Sequence, residues 1–313
     1  MTTAFTFPGQ GSQYIGMGKQ LAETFSEAKE VFQEVDNALS QNLSSLMWDG
    51  EEAQLNLTEN TQPALMSVSV AVFRVLAQQS GKSIQDFASY VAGHSLGEYS
   101  ALTAAGSLDL SDAARLLKLR GQAMQRAVPV GQGAMAAILG LSFDEVVDIS
   151  SEVSGAESCE AANDNSVGQV VVSGHKAAVA AAVALATERG AKRAVELPVS
   201  APFHSKLMAP AAEEMRQALA DATLRAPAVP LIANVTADEV NDSDQIKALL
   251  VQQVTGTVRW RESVLTMKEK GVSQLVEVGA GKVLSGLARR IDKELATSSI
   301  ETPEQVEAFL TNV

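Results

Sequence analysis

The tightest restriction in this chain is the stretch Val91-Ala92-Gly93-His94-Ser95-Leu96-Gly97-Glu98-Tyr99. The pattern predicts a short strand over 87–92 and a helix over 96–105. Gly93-x-Ser95-x-Gly97 therefore marks a strand that turns at once into a helix, the spacing of a nucleophile elbow. Such a bend leaves no room for side chains at the flanking positions, so glycines sit there. The apex residue is pushed outward with its hydroxyl over the helix N-terminus, and Ser95 is the candidate nucleophile. The alternative is a Gly-Ser-Gly turn without chemistry.

The chain has 313 residues, 46% of them apolar, enough for about two domains and a sizeable core. Its net charge of -13 argues against nucleic acid as a partner, which needs basic surface to displace counterions. The opening Met1-Thr2-Thr3-Ala4-Phe5 has no basic region and no long apolar run, so no signal peptide is expected. No stretch approaches the roughly 20 apolar residues of a membrane span. A single cysteine, Cys159, excludes an internal disulfide framework, and with three scattered histidines no metal site is expected. The expectation is a cytoplasmic monomer without membrane contact.

Thr3 to Phe7 reads as a buried first strand running into Pro8-Gly9-Gln10-Gly11-Ser12-Gln13. A dinucleotide fingerprint would need glycine where Tyr14 stands, and no phosphate-binding Gly-Lys-Ser/Thr loop follows. The loop is either one whose N–H groups approach a ligand closely, with the residue at Gln10 completing an oxyanion hole begun by Leu96, or an ordinary strand-to-helix turn. A helix is predicted over 26–39 and an apolar, buried one over 64–78, with Thr61 as its cap and Pro63 in its first turn. Ser111 caps a helix expected to reach Ala127. On it, Arg120 lies four residues from Leu116 and from Met124, within an apolar stripe. A buried guanidinium needs an anion, from the protein or from a ligand, and the alternative is an arginine snorkelling to solvent. The pattern alone leans towards snorkelling.

After Val128-Pro129-Val130-Gly131 the pattern changes. Strands are predicted over 134–139, 157–162, 169–173 and 192–199, with helices over 142–153 and 176–189. That β-α-β-β-α-β order is the ferredoxin-like unit, here a small domain inserted at 128–199. Strands over 229–233 and 273–278 and helices over 206–220, 246–254 and from Val283 then alternate again. The fold class is α/β. A large domain, 1–127 with 200–313, carries a mostly parallel sheet covered by helices in a hydrolase-like core. The stretch from Thr297 to Val313 reads as a loosely held tail.

A serine hydroxyl needs a base, most often histidine. His94 adjoins Ser95 and should point away from its hydroxyl. His175 reads as a capping or surface residue of the small domain. His204 lies where the chain re-enters the large domain, a common cleft position, and by elimination it is the candidate base. Its other ring nitrogen needs an acceptor, a carboxylate or a backbone carbonyl, which the pattern leaves unidentified.

Taken together, Phe7-Pro8-Gly9-Gln10-Gly11-Ser12-Gln13, Gly93-His94-Ser95-Leu96-Gly97-Glu98-Tyr99, Leu119-Arg120-Gly121 with Met124, Gly133-Ala134-Met135-Ala136-Ala137 and Ser200-Ala201-Pro202-Phe203-His204-Ser205 resemble, in order, segments of the malonyl-CoA:acyl carrier protein transacylase family. The resemblance covers nearly the whole chain. It implies transfer of malonyl from malonyl-CoA to the phosphopantetheine thiol of acyl carrier protein, supplying extender units for fatty acid biosynthesis, with no bound cofactor. Ser95 would carry the acyl ester and His204 would act as base and then acid. The N–H groups of Gln10 and Leu96 would form the oxyanion hole. Arg120 would hold the malonyl carboxylate, which reverses the preference for snorkelling, and the main-chain carbonyl of Gln253 would orient His204. Phe203 would narrow the acyl pocket. The family often has proline where Thr257 stands, and Gly-Pro-Gly where this chain has Gly279-Ala280-Gly281.

An acidic carrier protein meeting an acidic chain needs a local basic patch. Arg189, Lys192, Arg193 and Lys206, or Arg289 with Arg290, are candidates, each alternatively a solvated helix end. Competing readings are a serine hydrolase, a binding module that keeps the fold without chemistry, and the same transferase in a polyketide assembly line.

Overall fold

The computed structural model describes residues 2–199 and 201–312, so Ser200 at the start of the histidine segment lies outside the described residues. The strands are β1 (Thr3–Phe7), β2 (Tyr90–Gly93), β3 (Gly133–Leu139), β4 (Cys159–Ser166), β5 (Gln169–His175), β6 (Arg193–Glu196), β7 (Leu231–Ile232), β8 (Glu239–Val240), β9 (Gln274–Val278) and β10 (Ala296–Ile300). Six of them form one sheet in the order β10-β9-β1-β2-β7-β8, parallel throughout except for the β7–β8 pair. Alternation along these strands feeds two cores. Phe5, Phe7, Val91, Leu231, Val276 and Val278 face a large helical layer, while Ala4, Ala92, Ile232 and Leu275 face Trp260, Val264 and Leu287 on the other side. Both faces are thus covered, as the α/β pattern predicts.

The remaining four strands make a separate antiparallel sheet, β4-β5-β3-β6, with its own core of Ile138, Val146, Ile149, Val170, Val172 and Val179. Its helices, Phe143–Val153 and Lys176–Glu188, follow β3 and β5 in the predicted order. The first of them opens on the Ser142/Glu145 capping box.

Several local expectations are corrected. Ile84–Phe87 is a helical turn held by a Ser83/Asp86 capping box, so the strand before the elbow starts only at Tyr90. The central helix runs from Thr58 to Ser80, because the N–H groups of Asn60 and Thr61 already bond the carbonyl of Leu57. Pro63 therefore lies in the second turn, and the Thr61 hydroxyl donates to the carbonyl of Leu55 at 2.6 Å instead of capping. The Arg120 helix spans Leu110–Ala127 with Asp109 at its cap, and Ser111 donates to Glu34. The segment expected to be a loose tail is ordered as far as Leu310, and Val313 lies outside the described residues. β10 pairs along β9, a capped helix Pro303–Leu310 follows, and Phe309 packs against Phe5 and Phe87. Its signal, Thr302-Pro303 with Gln305 two residues on, is a readable capping box.

Candidate active site

The elbow is built as a collision that only glycine avoids. A Cβ on Gly93 would lie 1.9 Å from the carbonyl carbon of Gly97, and one on Gly97 would lie 2.3 Å from the Phe7 carbonyl oxygen. β2 can therefore end against the helix Gly97–Ala104 with a single exposed apex. Ser95 takes φ 53°, in the left-handed region that residues with a Cβ rarely occupy.

Across 109 residues of sequence, Ser95 Oγ meets Nε2 of His204 at 2.8 Å. His204 Nδ1 lies 2.8 Å from the main-chain carbonyl of Gln253. A carbonyl only accepts, so Nδ1 carries the proton and Nε2 is left to accept from the serine hydroxyl. His204 is 4% exposed. Burial, and then the positive charge of Arg120, lower its pKa to about 3, so the imidazole is neutral and able to take a proton at ordinary pH.

Arg120 is 2% exposed, so it does not snorkel. Its guanidinium donates to Gln62 Oε1 at 2.7 Å, to Gln253 Oε1 at 2.8 Å and to Ser95 Oγ at 3.1 Å. These neutral oxygens leave the cation without a carboxylate in direct contact, and its Nε–H is buried without a partner. A buried donor left unmade is costly, and an incoming anion would satisfy it.

These groups line a cavity of about 170 Å³. Gln10, Leu96 and Phe203 line it as well. Leu96 is the cap residue of the helix Gly97–Ala104, where backbone N–H groups point outward. The Gln10 loop abuts the elbow so closely that a Cβ on Gly9 would lie 2.6 Å from the carbonyl oxygen of His94. The opposite wall comes from the small sheet, as Met135 and Val171 with the amides of Asn163 and Asn165, and from Leu197 and Val199 just after β6. Among the described residues Arg120 is the only Lys or Arg in the lining, and no Asp or Glu lines the cavity. No group of three His, Cys, Asp or Glu among the described residues is placed to hold a metal ion.

The other two histidines stand apart from the hydroxyl. His94 bonds Asn165 Oδ1 at 2.8 Å and tilts against Trp260. His175 precedes the helix Lys176–Glu188 without capping it, and its Nδ1 accepts the Ser158 N–H. Sequence reasoning missed Gln62, Asn163, Asn165 and Asn234. None lies in a motif with a chemical signature; each is a neutral amide whose importance comes from what it faces.

The sequence matches the acyl transferase domain over residues 4–300. It is 46% identical over 307 residues to the malonyl CoA-acyl carrier protein transacylase of Escherichia coli K12, covering 98% of each chain. The structure is similar to an acyl-carrier-protein S-malonyltransferase from Bartonella henselae, with a TM-score of 0.97 at 54% identity over 100% of this chain and 99% of that one. A malonyl-transacylase solved in complex with a type II PKS acyl-carrier protein aligns with a TM-score of 0.96 at 41% identity, covering 100% of each chain.

Proposed function

The chain belongs to the acyl transferase family, and from that premise we propose that it moves malonyl from coenzyme A to acyl carrier protein through an ester on Ser95. The observation that carries this reading is the convergence on one oxygen: Ser95 Oγ lies 2.8 Å from a neutral imidazole nitrogen and 3.1 Å from a buried guanidinium. A base serves any acyl transfer, whereas a cation beside the acylated oxygen suits an acyl group that carries its own anion.

In the first half-reaction Ser95 Oγ attacks the thioester carbonyl while its proton passes to His204 Nε2. Negative charge develops on the carbonyl oxygen, and the N–H groups of Gln10 and Leu96 are the donors assigned to it. As the C–S bond breaks, His204 returns the proton to the coenzyme A sulfur. In the second half-reaction the pantetheine thiol of acyl carrier protein gives its proton to His204 and attacks the ester. The C–O bond breaks, and Ser95 Oγ takes the proton back. Arg120 holds the malonyl carboxylate throughout, and Phe203 limits the width of the acyl group. The Gln253 carbonyl keeps the imidazole in one tautomer.

We read the enzyme as a monomer that works without a bound cofactor. Segment 128–199 acts as the small domain roofing the cavity over the large domain, 1–127 with 200–313. We place the enzyme in the cytoplasm. Lys192, Arg193 and Lys206 are exposed, which supports them as contacts for the acidic carrier protein.

Brief exposure to malonyl-CoA followed by peptide mass spectrometry tests the reading. A malonyl adduct on Ser95, released to acyl carrier protein and absent from Ser95→Ala, is expected. No adduct overturns the transfer, and rapid release to water without carrier protein makes the chain a hydrolase.

A further inference from the structure

Behind Ser95, away from the cavity lining, lies a carboxyl group that the transfer steps do not use. Glu98 is the second residue of the helix Gly97–Ala104 and is 1% exposed. Its Oε1 accepts the backbone N–H of Asn234 at 2.6 Å, and its Oε2 accepts an Nε2–H of Gln253. Both partners turn back onto the elbow. Asn234 Oδ1 accepts the Ser95 N–H at 2.8 Å, and Asn234 Nδ2 donates to the Gly93 carbonyl at 2.7 Å. Gln253 Nε2 also donates to the Ser95 carbonyl at 2.9 Å, while its Oε1 accepts from Arg120. The amide of Gln253 has one possible orientation, because a guanidinium only donates and a carbonyl only accepts.

The backbone of Ser95 is thus gripped on its N–H and on its C=O by two side chains, and one carboxylate anchors both. That grip is needed. Ser95 at φ 53° and His204 at φ 56° both sit in the left-handed region, and such strain persists only where the surroundings over-determine it. Burial pushes the Glu98 carboxyl up to about 8, but each of its two oxygens faces an N–H donor and neither has an acceptor for an acid proton, so the geometry holds the ionised form.

We propose that Glu98 is a positioning residue for the transfer: through Asn234 and Gln253 it holds the strained Ser95 backbone and aims Arg120 and His204 at Ser95 Oγ. The assignment to malonyl transfer rests on the function proposed above. Glu98→Gln keeps the shape but turns one end atom into a donor, which must then face the N–H of Asn234 or of Gln253. The Gln253 side chain yields first, and Arg120 and Ser95 lose their common support.

The test compares Glu98→Gln with the parent protein in two readings, with thermal unfolding as the control for folding. One is the rate at which a fluorophosphonate labels Ser95; the other is the ratio of malonyl to acetyl acylation. Both are expected to fall about tenfold, the effect of one buried donor facing another. A folded variant that matches the parent in either reading overturns the proposal. If Glu98→Gln does not fold, Gln253→Ala decides, since it keeps the carbonyl for His204 and cuts the link to Arg120. A lowered malonyl-to-acetyl ratio then supports the proposal, and a parent-like ratio overturns it. Fluorophosphonate labelling needs no acyl donor. A parent protein that forms no malonyl ester therefore counts against the proposed function, and the labelling rate alone then decides on Glu98.

Discussion

The floor and the roof of the cavity are built from different chemistry. The floor, from the large sheet and its helices, is a set of hydrogen bonds among Ser95, His204, Arg120, Gln62 and Gln253 that leaves only the Arg120 Nε–H open. The roof, from the small sheet and the segment after β6, is mostly Met135, Val171, Leu197 and Val199. It is fastened by backbone bonds between Val258 and the pair Ala162 and Asp164, by the Thr257 hydroxyl donating to Ala161, and by Arg261 against a buried Asp164. On the floor the bonded polar atoms have directions that their neighbours dictate, so geometry decides whether chemistry occurs. On the roof contact is mostly non-directional, so shape limits the bulk of the acyl group, while Arg120 on the floor selects its charge.

Substitutions on the two surfaces should therefore differ in kind as well as size. His204→Ala should slow formation of the Ser95 ester by about 10²–10⁴-fold, measured in a single turnover. A loss below tenfold would erase the distinction between floor and roof. Arg120→Ala should next reduce the preference for malonyl over acetyl thioesters by roughly 10–100-fold, the worth of a hydrogen bond to a charged group. Unchanged discrimination would refute the role of Arg120.

The floor also predicts a pH signature that the roof lacks. His204 is held neutral down to about 3, so acylation should show no inflexion near 6.5. The unfolded chain binds a proton at His204 below about 6.5 that the native state refuses, so stability falls with falling pH by about 1.4 kcal/mol per pH unit from this group. Unfolding free energies from denaturant curves of the parent and of His204→Gln, compared at pH 7 and pH 5, should diverge by roughly 2 kcal/mol; parallel changes would contradict the buried neutral imidazole. The smallest effect belongs to the roof. Met135→Ala should raise acylation by branched acyl thioesters several-fold, within the roughly 1–3 kcal/mol that one apolar group commands, and barely alter malonyl. A large loss with malonyl would mean that the roof positions the reacting atoms.

Much of this was legible before any coordinates. The elbow, the alternation that builds the six-stranded sheet and the element order of the four-stranded one rest on periodicity and on steric need, which act within a few residues. His204 could be reached by elimination, because the chain has only three histidines. The burial of Arg120 was not legible, since an arginine in an apolar stripe reads the same whether its head reaches solvent or not. Nor were Gln62 and Asn234, whose partners lie 58 and 139 residues away. The tail was misread because β10 gains its order from pairing with β9, an edge contact invisible in its own composition.

What the residues settle alone is where the backbone must bend, since Gly93 and Gly97 admit no Cβ whatever the remainder of the chain does. Where the proton goes, and which charge waits beside it, belongs to the assembled molecule. Hydrogen bonds have direction and reach only about 3 Å, so they exist only after folding has carried their donors and acceptors together.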